Sequence, residues 1–387
     1  MSQDKSPSII LATGLAMFSM FFGAGNVIFP LVLGQYTESA NIWAISGLLI
    51  TAVGVPFLGL IAMSLFNGDY KKFFGRLGPI PGFLITFVIM GLIGPFGALP
   101  RCIALSYATA ERYFPTVDIT EFSFFACTLI FILAVKKNRI VDVLGYVLTP
   151  ILLGSLGVII VKGFWLSPPA PESLLQPKES FLIGLKEGYM TMDLLGAFFF
   201  SSVVINCIRQ DHGDEGGLSA KKVMNLMLKS SAIGASLLAM IYIGFSFVAS
   251  FNAALLHHVG PDQLISEVAL TVLGPYAGPV AAFAVSLACL TTAIALACVF
   301  AEFVHYDLSL GKVGYIPSLL ITLFISYFIS ALNFIEIVRF LTPILQVVYP
   351  ALIILTLMNL LYKLYNFKPV LLPFVIALLL SLADYFL

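Results

Sequence analysis

Long apolar stretches, separated by short clusters of charge, glycine and proline, follow one another along the whole chain. A helix needs about 20 predominantly apolar residues to cross about 30 Å of hydrocarbon. Eleven segments meet that need: 8–33, 42–66, 80–112, 119–135, 140–162, 181–208, 222–251, 274–305, 314–331, 333–363 and 368–387. The pattern predicts an all-α polytopic membrane protein. The N-terminal "MSQDKSPS" is short and polar, and no small-x-small cleavage site follows the first run, so that run is read as a span and not a signal peptide.

Composition agrees with the pattern. Of 387 residues 60% are hydrophobic and 10% charged, with a mean hydropathy of +1.02, against about 45–50% and about 25% for a soluble domain. Twenty Lys and Arg balance twenty Asp and Glu, which gives no basic surface for nucleic acid. The five cysteines, Cys102, Cys127, Cys207, Cys289 and Cys298, lie inside apolar runs without metal or disulfide spacing. The four histidines, His212, His257, His258 and His305, read as loop and helix-end residues and not as a metal cluster.

Charge sets the expected orientation. The alternate connections carry Lys71, Lys72 and Arg76; Lys136, Lys137 and Arg139; Arg209, Lys221 and Lys222; Lys312; Lys363 and Lys368. With Lys5 these all belong to one side, which the positive-inside rule makes the cytoplasm, together with the N-terminus. The longest connection on the other side, "KGFWLSPPAPESLLQPKESF", is Pro-rich and reads as extended. Eleven spans end outside, or twelve inside if another span follows the abrupt apolar end.

Four spans carry polar or helix-breaking residues at membrane depth, where non-helical backbone survives only if buried in protein or lining a wet cavity. In span 1, "FFGAGNVIFP" has Gly23, Gly25 and Asn26 before a closing Pro30; it reads as a break or as a close-packing glycine pair. In span 6, "EGYMTMDLLGAFFFSS" has Thr191, Asp193 and Gly196, with Asp193 either a functional carboxylate or solvated near the outer interface, as its neighbour Glu187 is expected to be. Spans 1 and 6 begin two successive sets of five, and an odd repeat inverts the second set. Broken helices at matching places in inverted halves point to a transporter's midplane binding site. In span 8, Thr291 and Thr292 offer hydroxyl ligands to a hard cation, or simply bond back to their own helix. Span 3 contains "GPFGALPRC", in which Pro95 and Pro100 interrupt the helix; Arg101 lines a cavity, pairs with Asp193 or snorkels outward. Glu336 and Arg339, three apart, read as a local ion pair.

"GLAMFSMFFGAGNVIFP", "GPFGALPR", "EGYMTMDLLGA" and "ACLTTAIAL", in that order, resemble the branched-chain amino acid:cation symporter family of the amino acid–polyamine–cation superfamily. The resemblance implies the five-plus-five inverted-repeat fold with broken helices 1 and 6, in one transporter domain over 1–387: a first repeat over 8–162, a second over 181–363 and an extra helix over 368–387. It implies sodium-driven import of leucine, isoleucine and valine at the cell (inner) membrane, with sodium co-transported and no organic cofactor. The "GAGN" break is similar to the "GLGN" of the bacterial leucine transporter, which places sodium-coordinating carbonyls at Ser19 and Phe22, with Ala288, Thr291 and Thr292 completing that site from one helix face. A second sodium would use Phe21 and Asn26, with Thr191 a looser candidate.

On this reading the N–H groups of Gly23, Ala24 and Gly25 hold the substrate carboxylate. Asn26 and Thr191 border the substrate, Asp193 and span 6 carbonyls meet its ammonium, and spans 3, 6 and 8 enclose its aliphatic chain. Membrane lipid is the expected surround, and the sequence leaves oligomeric state open. The alternative is a proton-coupled carrier of other neutral amino acids with Asp193 as proton acceptor. The chain has no G-x-x-x-x-G-K-[ST] loop for a primary pump, no nucleophile–base pair for an enzyme, and no repeated polar rings for a channel.

Overall fold

The computed structural model describes residues 6–111, 113–135, 149–211, 220–274 and 278–386, and among them every regular element is helical. Span 1 is two helices, α1 (Ser6–Phe21) and α2 (Ala24–Thr37). Span 2 is α3 (Asn41–Leu49) and α4 (Val55–Leu65) joined by a π turn, Ile50–Gly54. A short helix, α5 (Tyr70–Gly75), begins where the Asp69 carboxylate accepts the Lys72 amide at 3.0 Å, an N-cap of the usual kind. Span 3 divides into α6 (Pro79–Ile93) and α7 (Ala98–Ala110) around Pro95, while Pro100 sits in the first turn of α7 and interrupts nothing, because the first helical N–H groups have no partner to lose. Pro30 likewise does not close its helix: it lies inside α2 and leaves the Asn26 carbonyl without its usual donor four residues on.

Spans 4 and 5 are α8 (Ile119–Ala134) and α9 (Thr149–Leu166); positions 140–148 of predicted span 5 lie outside the described residues. Span 6 is α10 (Pro177–Met190) and α11 (Asp193–Asp211), bent by 42° at their junction. Span 7 is α12 (Ala220–Phe251). Two short helices that the span pattern missed, α13 (Ala253–Leu256) and α14 (Leu264–Leu273), precede α15 (Gly278–Phe303), the eighth span. The remainder is α16 (Tyr315–Ser330), α17 (Asn333–Tyr365) and α18 (Leu371–Phe386). Among the described residues, five stretches are long and apolar enough to cross a membrane, the bent pair makes a sixth, and five apolar helices are shorter, at 10–17 residues.

The packing is reciprocal. The broken first span lies on α12, the seventh, while α10 lies on α3 and α11 on α4, so the broken sixth span lies on the second. That exchange is what two inverted halves require. Glycine makes both contacts possible: a Cβ on Gly34 would strike the Ser246 carbonyl, and one on Gly184 the Ala44 carbonyl. Span 3 meets span 8 through α7 and α15.

Connections collect on two opposite faces. On one, Lys71 pairs with Asp307 at 2.5 Å, Tyr70 donates to Asp307 at 2.6 Å, and Arg76 donates to Asn359 and to the Lys368 carbonyl, both at 2.8 Å. Burial, and then the Asp307 carboxylate it donates to, push the Tyr70 phenol up, which keeps that donor protonated. On the other face, Ser39 meets Pro171 and Ser173 of the extended Pro-rich connection, and Gln35 donates to the Leu256 carbonyl at 2.6 Å. Each of these contacts joins connections that the charge pattern puts on one side. Lys5, Lys136, Lys137, Arg139 and His212, with the side chains of Cys207, Arg209 and Lys221, lie outside the described residues. Phe83, Phe87, Phe324, Leu372 and Leu380 stand exposed on the outside, as a surface solvated by lipid tails allows.

Candidate functional site

The site begins with two helices that stop at membrane depth. Backbone at Gly23 is extended, with φ −119° and ψ −159°, and its N–H donates to Asn26 Oδ1 at 3.1 Å. Glycine is needed there because a Cβ would lie 2.9 Å from Thr292 Cγ2. In span 6, Met192 takes a left-handed φ of 64° between Met190 and Asp193, a conformation costing a non-glycine residue about 1 kcal/mol or more. Thr191 Oγ1 donates to the Gly188 carbonyl at 2.9 Å and accepts the Asp193 amide at 3.4 Å, which ties off both ends of the break.

Asp193 opens α11 and is 3% exposed. Its position excludes the solvated interfacial reading. A helix N-terminus favours an anion, and two neutral donors complete its surroundings: Asn26 Nδ2 lies 2.8 Å from both carboxylate oxygens, and the Tyr242 hydroxyl of α12 donates to Oδ2 at 2.8 Å. Asn26 also donates to the Tyr242 hydroxyl oxygen. The three side chains thus join spans 1, 6 and 7 around one carboxylate. Glu187, expected in solvent, is half-buried.

Arg101 of α7 is 2% exposed, so it does not snorkel, nor does it pair with Asp193. Its Nη1 donates to the Met190 carbonyl at 2.8 Å, closing the C-terminus of α10, and its guanidinium lies over the Phe29 ring at 5.5 Å. Arg101 Nε has no partner. Between Arg101 and Asp193 is a cavity of about 30 Å³ bordered by Gly25, Asn26, Ile93, Thr191, Gly196 and Phe200. That is room for about one water, far less than a leucine, so the site is closed. Phe21, Gly23, Ala24 and Thr292 also border it.

Beside the cavity, α15 touches the end of α1. The Thr292 hydroxyl lies 3.3 Å from the carbonyls of Ser19 and Met20, and Thr291 lies 3.4 Å from Ser19 and 2.8 Å from the Ala288 carbonyl. Ser19, Ala288, Thr291 and Thr292 are thus brought together. Neither hydroxyl hydrogen-bonds to the Phe22 carbonyl, whereas Thr292 reaches the Met20 carbonyl. The N–H set also differs from expectation, since the Gly23 amide is already bonded to Asn26 and the Ala24 amide faces the Cys102 sulfur. The distant pair Glu336–Arg339 forms at 3.0 Å.

Sequence reasoning missed two tyrosines. Tyr242 and Tyr349 are both fully buried, and the Tyr349 hydroxyl accepts the Leu194 amide at 3.1 Å. A phenol amid "AMIYIGF" or "LQVVYPAL" carries a polar tip that must find a partner, and that was the available signal.

A family model described as "Branched-chain amino acid transport protein" matches residues 6–386. The branched-chain amino acid permease BrnQ of Corynebacterium glutamicum is 32% identical, over 92% of this chain and 81% of that protein. The permease BraB of Bacillus subtilis is 30% identical over 91% and 80%. Among solved structures, inward-facing Mhp1 superposes with a TM-score of 0.64 at 12% identity over 97% of this chain and 89% of that one. MhsT in complex with L-phenylalanine gives 0.63 at 14% identity over 96% and 98%. With this fold, and a match along almost its whole length, the chain is an integral membrane transporter and not an enzyme, and it belongs to the branched-chain amino acid transport protein family.

Proposed function

We propose that the protein is a sodium-coupled symporter that imports leucine, isoleucine and valine across the cell membrane by alternating access, with its N-terminus in the cytoplasm. The observation carrying the cation assignment is the convergence of Ser19, Thr291 and Thr292 oxygens within 3.4 Å at the end of the broken first helix. Hydroxyls and carbonyls are the ligands a hard cation accepts, and with the Ala288 carbonyl, and Phe22 or Met20, they supply a full set. Sodium held there braces span 1 against span 8, and its release on the inside frees the two repeats, 8–162 and 181–363, to rock. A second sodium at Phe21 and Asn26 has to take Asn26 Oδ1 from the Gly23 amide, so one sodium per substrate is the simpler reading.

The substrate lies against Ala24, Gly25, Thr191 and Asp193, with its ammonium at the carboxylate. One methylene is worth about 0.8 kcal/mol, so the three branched-chain substrates separate weakly from one another. The relatives named as branched-chain amino acid permeases support that substrate class.

Leucine uptake into proteoliposomes should need a sodium gradient and be electrogenic, and Thr292→Ala should abolish the sodium dependence. Uptake indifferent to both refutes the cation site. Proton coupling is the second reading, favoured by a buried carboxylate whose hydrogen-bond partners are neutral groups; it predicts uptake that follows a pH gradient at fixed sodium.

A further inference from the structure

We infer that Arg101 is the anchor for the substrate carboxylate, and that Arg101 and Asp193 together make the site select an intact zwitterion over ligands lacking either charge. The inference rests on the amino acid transport reading above and goes beyond it by moving the carboxylate from backbone amides to a side chain.

Four observations lead there. Arg101 is 2% exposed, borders the cavity, and leaves Nε without a partner. A buried guanidinium with an unsatisfied donor is costly unless an acceptor arrives. Secondly, the guanidinium is pressed against the first turn of α2: a Cβ on Gly25 would lie 2.6 Å from Nη2. That turn is the positive end of a helix dipole, so two positive potentials face the same space. An anion there relieves both, and Arg offers a planar fork that fits a carboxylate.

Thirdly, the backbone alone falls short, because the Gly23 N–H is already bonded to Asn26 Oδ1 at 3.1 Å. Fourthly, the obvious internal anion does not fill the role. Asp193 borders the same cavity yet is held by Asn26 and Tyr242, while Arg101 is held by the Met190 carbonyl and Phe29. Opposite charges kept apart across one cavity match the two ends of an α-amino acid. Opening the cavity from its closed volume admits the substrate between them.

The test uses purified full-length protein in nanodiscs, with labelled leucine displaced by leucine, by leucinamide (no carboxylate) and by 4-methylpentanoate (no ammonium). Wild type should prefer leucine to leucinamide by about 30-fold or more, the usual scale for removing one partner of a buried charge pair. R101Q should weaken leucine by that factor while leaving leucinamide nearly unchanged, so the ratio collapses. D193N should instead collapse the ratio of leucine to 4-methylpentanoate. If R101Q does not fold, R101K retains the charge without the fork and should weaken leucine about tenfold with leucinamide unaffected. Equal weakening of leucine and leucinamide, or a wild-type ratio in R101Q, overturns the anchor role and leaves Arg101 as a brace for the span 6 break. A wild-type protein that binds no leucine overturns the substrate assignment itself, and the anchor with it.

Discussion

Tyr242 shows how much one hydroxyl does at membrane depth. It donates to Asp193 at 2.8 Å and accepts from Asn26, so it closes a ring of three side chains from three spans. Tyr242→Phe keeps the ring's shape and removes one donor from a buried carboxylate, a loss of about 1–3 kcal/mol. The purified variant should unfold at a lower temperature than wild type while keeping its oligomeric profile. An unchanged melting temperature means that Asp193 has another donor. At this scale the sequence flagged Asp193 and Asn26 because amide and carboxylate groups are conspicuous among apolar neighbours. Tyr242 escaped because a tyrosine in a membrane span is as readily a packing residue as a polar one, and only proximity distinguishes the two.

Among the elements, the reciprocal contacts of the broken spans depend on backbone meeting backbone. Gly34→Ala puts a methyl into the Ser246 carbonyl, where no flexible side chain can yield. The helices must part, at an overpacking cost of about 1–3 kcal/mol or more. Gly154 on α9 is exposed, and a methyl added there would meet nothing within 4 Å. Gly154→Ala should therefore be neutral or stabilising by up to about 1 kcal/mol. Fluorescence-detected size exclusion after heating distinguishes them: early loss of the monodisperse peak for Gly34→Ala, none for Gly154→Ala. Equal behaviour of the two removes close packing as the reason for Gly34. Element positions were legible because apolar length is a one-dimensional property. The breaks at Gly23 and Met192 were legible as places, but the status of Pro30 and Pro100 was not, since a proline's effect depends on which turn of the helix receives it.

At the scale of the whole molecule, a closed cavity of about 30 Å³ requires, on the proposed function, that substrate and cation act on an equilibrium between arrangements of the helices. On the proposed assignment, sodium at Ser19 and Thr292 and substrate at Gly25 would both bear on the junction of α1 and α2, so each should favour the other. Linkage then requires that sodium raise leucine affinity and leucine raise sodium affinity by the same factor. Titration calorimetry of each ligand with and without the other checks this, and unequal or absent coupling separates the two sites energetically. A leucine concentration about 100 times Kd should stabilise the fold by about 2.7 kcal/mol in sodium, and by less in choline.

The sequence by itself determined the solvent, the helical class, the charge bias of the loops, and the two breaks. Each follows from hydropathy, charge or backbone chemistry read along one dimension. Only the tertiary structure decided what the polar groups do. Arg101 turned from Asp193 to the Met190 carbonyl, Asn26 was committed to both the Gly23 amide and the Asp193 carboxylate, and Thr292 reached the Met20 carbonyl. The reason is that a buried donor is satisfied by whichever acceptor packing brings within about 3 Å, and residues 167 positions apart acquire that proximity through the fold alone.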